Sequence, residues 1–144
     1  MKQLKYIFLL FFTVILTSCM EINSENPKEI FELGTGNELP KEIKLVNGKY
    51  WQSAHWTKEY EVYAEIKSTE TWWNDFKNNN ELNNFKSSLN NDIEEKFFKN
   101  KNEELIKQPN WFKPEKNSEI YIKGSSEYFW NPKTKILFIH EIQL

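Results

Sequence analysis

Arginine is absent from this chain, and all 19 basic residues are lysine. Lysine is a point charge on a flexible stem. It lacks the planar fork that grips phosphate, carboxylate or a guanine edge with two parallel hydrogen bonds, so a phospho-ligand or DNA-edge reader loses its commonest tool. The lysines are interspersed with 21 acids, without a basic run, for a formal net charge of -2. That balance weighs against nucleic acid as a partner. Cysteine occurs once, so the chain can form no internal disulfide. The two histidines, His55 and His140, are far apart and outside any HExxH-type spacing. A zinc site would have to combine both with Glu141 or Glu59, and neither a metal nor another cofactor is expected. The four glycines form no phosphate cradle, and no GxSxG motif or nucleophilic cysteine is present. Asp75 and Asp92 are the only aspartates, both in helix-like polar positions.

What the chain has in abundance is aromatic side chains, 16% of all residues, including Trp51, Trp56, Trp72, Trp73, Trp111 and Trp130. Without disulfides, stability must come from packing, and these rings are the material for it.

The N-terminus carries a different signal. Lys2 and Lys5 precede the apolar run Tyr6 to Thr17, which as a helix would be about 18 Å long, too short for roughly 30 Å of hydrocarbon. Leu16, Thr17, Ser18 and Cys19 follow as a large aliphatic residue, two small ones and the cysteine. Charge, length and box together resemble a bacterial lipoprotein signal peptide. The resemblance covers residues 1–19 and implies cleavage before Cys19, with diacylglycerol on its thiol and acylation of the new amino terminus. Several acyl chains make attachment stable, since each buried methylene contributes about 0.8 kcal/mol and one chain alone is marginal. Met20 stands where an aspartate would act as an inner-membrane retention signal in many such proteins, so the expected place is the cell envelope, at the outer rather than the inner membrane.

Three segments follow: a signal peptide at 1–18, a lipidated tether at 19–40 and one globular domain at 41–144. The tether contains Pro27, Gly34, Gly36 and Pro40 with little apolar periodicity and reads as partly disordered, although Ile30, Phe31 and Leu33 offer a docking alternative. Ile43 to Val46 reads as a short strand ended by an Asn47-Gly48 turn. In Tyr60 to Ile66, the residues Tyr60, Val62, Ala64 and Ile66 alternate with Glu61, Tyr63, Glu65 and Lys67, a half-buried strand with its acids outward. Ser68 and Thr69 cap a helix on which Trp72 and Phe76 share a face. Leu82, Phe85 and Leu89 suggest a second helical stripe. Asn91 with Glu94 makes a capping box before Ile93, Phe97 and Phe98, so residues 81–99 form one helix or, with a break at Asn90-Asn91, two. Pro109 and Pro114 bracket a non-helical crossing that carries Trp111 and Phe112. Period-two strands at Glu119 to Lys123, Glu127 to Trp130 and Lys135 to Ile142 complete the chain. The expected fold is α+β: a small two-layer domain, mostly antiparallel sheet, with helices on one face.

For function, the tryptophans beside turns are the lead. Trp51, Trp56, Trp111, Phe112 and Trp130 are candidate contacts for a ligand or partner, weighed against a plain core role. Glu59, Glu61 and Glu65 recur at period two, most simply as a solvated face and more weakly as the glutamate pair of a hydrolase. The sequence favours a non-enzymatic, lipid-anchored envelope protein that binds another envelope protein. The alternative is a lipoprotein that binds a small molecule or glycan through loop tryptophans.

Overall fold

A computed structural model describes residues 20–55, 57–82, 85–88 and 105–144. Seven antiparallel strands form one sheet: β1 Ile22–Ser24, β2 Lys44–Gln52, β3 Tyr60–Lys67, β4 Phe85–Ser88, β5 Glu119–Lys123, β6 Ser126–Asn131 and β7 Ile136–Gln143. Their order is β1-β2-β3-β7-β6-β5-β4, so the last strand sits beside β3 at the middle. Helices α1 Pro27–Thr35 and α2 Glu70–Asn79 pack on one face, and the fold is α+β as expected.

Each helix has its own start and stop. Asn26 accepts the Lys28 amide and Pro27 opens α1 in the first turn, where a missing N–H costs nothing. Gly36, at φ 71°, closes it, and its N–H donates to the Glu32 carbonyl. On α2, the Thr69 hydroxyl accepts the Trp72 amide at 3.1 Å, the cap the sequence predicts. Glu81, at φ 54°, turns the chain away after that helix.

This placement corrects three expectations. Residues 22–35 are no loose tether: β1 pairs with β2, and Ile30 is buried beneath α1, with Phe31 and Leu33 against the same core. Strand β1 therefore starts three residues after Cys19 in the sequence. Asn47-Gly48 makes no turn but lies inside β2, beside a bulge between Leu45 and Asn47. A Cβ on Gly48 would come 2.7 Å from the Cδ1 of Ile30, so glycine there lets α1 approach the strand. Phe85–Ser88 is an edge strand paired with β5 rather than part of a helical stripe, while Leu82 is buried in the core. Leu89 and the helix expected from Asn91 lie outside the described residues.

Two cores flank the sheet. On the helix face Trp73 stacks on Trp130 at 5.1 Å and meets Tyr121 edge-on at 5.3 Å, fixing α2 over β5 and β6. Such ring pairs add about 0.5–1.5 kcal/mol each beyond the area they bury. On the opposite face the segment around Pro109 folds back, and its Phe112 is buried among Tyr63, Phe129 and Phe138. The sheet is covered on both sides, by helices on one and by this crossing on the other.

Candidate functional site

The cover on the second face buries one of the acids expected outward. Glu61 has no exposed surface, and Tyr63 beside it has none either. One carboxylate oxygen of Glu61 accepts the amides of Leu105 and Ile106, each at 2.7 Å. The other faces Nε2 of His140 at 2.8 Å, while Nδ1 of that ring lies 3.3 Å from Glu127. The register explains the meeting: His140 is directly opposite Tyr63 on one side and Glu127 on the other, and Glu61 is the diagonal neighbour. The ring stacks on Tyr63 at 4.4 Å. Burial alone would raise the Glu61 carboxyl, but the His140 contact, the Ile106 amide and the Tyr63 hydroxyl outweigh it and hold the group below the usual carboxylate range. With Glu61 and His140 buried, this cluster clamps the crossing segment to the sheet.

The helix face is different. Helix α1 lies over β2 and α2 over β5 and β6, so the central strands β3 and β7 are left between them as the floor of a cleft of about 650 Å³. Val62, Ala64, Ile66 and Ile139 form that floor. Phe31 walls it from α1, and Trp72 and Phe76, stacked at 5.0 Å, wall it from α2. Its volume falls within the range of small-molecule sites, roughly 300–1,000 Å³, and its lining is mainly apolar, as such sites are.

One end of the floor is polar. Glu141 accepts the hydroxyl of Tyr60 on one oxygen and that of Tyr128, at 3.3 Å, on the other. Tyr50 stacks on Tyr60 at 5.9 Å, and its own hydroxyl donates to Gln52. Burial first, and then the Glu141 carboxylate, push Tyr60 and Tyr128 well above the ordinary phenol value; Tyr50 is raised by the same two causes. All three phenols therefore stay protonated as donors at neutral pH.

The tryptophan candidates fare unevenly. Trp130 and Phe112 are core residues, 2% and 1% exposed, and sit on opposite faces of the sheet, so they cannot share a contact patch. Trp111 packs beside Phe112 and is half-buried. Trp51 lies within β2, not in a turn, and its indole N–H donates to Glu21 at 2.5 Å. Trp56 lies outside the described residues. Of the three glutamates, Glu61 is clamped as above, Glu65 accepts from the Asn47 side chain, and Glu59 pairs loosely with exposed His55 at 3.9 Å. His140 and Glu141, being adjacent on β7, point to opposite faces and cannot join one metal site.

Sequence reasoning considered Glu141 only as a zinc ligand and missed the cleft. The available signal was β7 itself, where apolar residues occupy both alternating sets: Leu137 and Ile139 on one, Phe138 on the other. That pattern marks a central strand with both faces covered. No protein-family model matches the chain, and neither does any curated protein or solved structure.

Proposed function

We propose that this chain is a non-enzymatic, lipid-anchored envelope protein that binds a small, largely apolar molecule in the cleft between α1 and α2. One observation carries the proposal: two helices cover the flanks of the sheet and leave its central strands as the floor of an apolar cleft of about 650 Å³. A fold seeking stability alone would close the helices over that floor, because each Å² of apolar surface taken from water contributes about 25 cal/mol. On this reading the ligand is a small molecule rather than the protein partner that the sequence favours. The same reading puts that ligand on the helix face rather than at the loop tryptophans.

The anchor rests on the lipobox Leu16 to Cys19. With β1 starting at Ile22, lipid on Cys19 holds the β1 edge of the sheet close to the membrane surface.

The test is purification of the full-length protein from its own envelope in mild detergent, followed by mass spectrometry of the co-purifying small molecules. The comparison is Gly34→Phe, since Gly34 lines the cleft and a Cβ there meets nothing within 4 Å. A small molecule retained by the native protein and lost from the variant supports the proposal. Identical small-molecule content, with a stoichiometric protein partner in both, returns the function to protein binding.

A further inference from the structure

The ligand of this cleft has a chemical class written into the lining. Glu38, Asp75 and Glu141 are its charged members, and no lysine or histidine lines it among the described residues. In a chain with 19 lysines that distribution is selective. A carboxylate-headed ligand such as a fatty acid would meet like charge without a countercharge, and a neutral one would bring no opposite charge to Glu141.

Glu141 is built to receive a donor. An ionised carboxylate has about four acceptor positions, and the Tyr60 and Tyr128 hydroxyls use one on each oxygen. Among the described residues, about two acceptor positions remain beyond those hydroxyls. The two phenols hold the carboxylate in one orientation. From this polar end the floor continues through Val62, Ala64 and Ile139, with no charged residue until the rim.

We propose, building on the cleft as the ligand site, that it takes an amphiphile with a cationic amine head. The ammonium donates to Glu141, and the apolar tail lies along β3 and β7 between Phe31 and the Trp72-Phe76 stack. Carboxylate-headed amphiphiles are excluded.

Decylamine, decanol and decanoate, which share a tail and differ in the head, separate this class from simple apolar binding. Each is titrated calorimetrically into the full chain held in lipid nanodiscs, with empty discs as the reference for partition. Decylamine is expected to bind at least about tenfold more tightly than decanol, a difference of about 1.4 kcal/mol, and decanoate more weakly than either. Glu141→Gln should abolish the preference, bringing the ratio of decylamine to decanol affinity close to one. The ring pair Tyr60→Phe and Tyr128→Phe provides a second variant set, which should lower the ratio of decylamine to decanol affinity. Equal binding of the three, or preference for decanoate, overturns the amine class and leaves the cleft as a ligand site. Failure of all three to bind overturns the cleft itself.

Discussion

His140 and Glu61 form an enclosed pair, with Nε2 and Oε1 2.8 Å apart and side chains 2% and 0% exposed. The same carboxylate holds the amides of Leu105 and Ile106, so a single side chain ties β3, β7 and the crossing segment together. Removing its charge at neutral pH leaves those donors poorly matched, and Glu61→Gln should cost roughly 3 kcal/mol of unfolding free energy.

The cost should depend on pH in a stated direction. The Glu61 carboxyl is held below its unfolded value of about 4.3, so its contribution is complete above that value and is lost as pH falls through the folded one. Urea unfolding at neutral pH and at about pH 3 should therefore show the gap between native protein and Glu61→Gln closing in acid. A gap that stays constant across that range would mean that the carboxylate's charge is not what stabilises the fold.

The second cluster titrates in the opposite range. Tyr60 and Tyr128 are raised by burial and by Glu141, whereas Tyr121 is raised by burial and by Glu119. Their folded values lie above the unfolded value of about 10, so the stability they carry is complete below pH 10 and lost as pH rises through the folded values. In a tyrosinate absorbance titration, Glu141→Gln should shift part of the alkaline absorbance to lower pH. Glu119→Gln should do so independently, and the two shifts should add. A single shared effect would place the phenols in one network, against the geometry.

Two glycines near the end of α1 should respond with opposite signs. Gly34 is helical with open space at its Cβ, and Gly34→Ala should raise stability by about 0.5–1 kcal/mol through helix propensity and a less flexible unfolded chain. Gly36 caps the helix at φ 71°, where an alanine is strained, and Gly36→Ala should lower stability by about 1 kcal/mol. Thermal melts of the two variants check both signs.

Phe112 should matter far more than its neighbour Trp111. It is 1% exposed at the centre of the second core, so Phe112→Ala should cost about 3–5 kcal/mol, while half-buried Trp111→Ala should cost clearly less. Hydrogen exchange should find the Leu105 and Ile106 amides deprotected first in the Phe112 variant, because the clamp to Glu61 depends on the crossing staying down.

These residues also mark how far the sequence reached. Local chemistry was legible: Thr69 as a cap, Trp72 with Phe76 on one helix face, the Glu119–Lys123 strand and the hairpins after it, since each depends on neighbours a few positions away. Glu61 was not, because period two describes a strand and says nothing of what lies across the sheet. Glu61 and Glu65 look alike in sequence, and only the return of residues 105–112 decides that the first is enclosed. Asn47-Gly48 carried a true turn composition, and the approach of α1 to the same backbone turned it to another use. The cleft was out of reach for the same reason: it arises where α1 and α2 fail to meet, a distance set by Ile30 over Gly48 and Trp73 over Trp130, not by any one segment.

The most direct measurement is fluorine NMR of the full chain labelled with fluorotryptophan, titrated with decylamine and, as a head-independent control, decanol. Trp72 forms a wall of the cleft, whereas Trp51 shares the opposite face with Glu61 and Trp111 packs there on the second core. Both ligands should shift the Trp72 resonance first and leave Trp51 and Trp111 in place. Movement of Trp51 or Trp111 with Trp72 unchanged would contradict the cleft and put the binding surface back on the tryptophans of the other face.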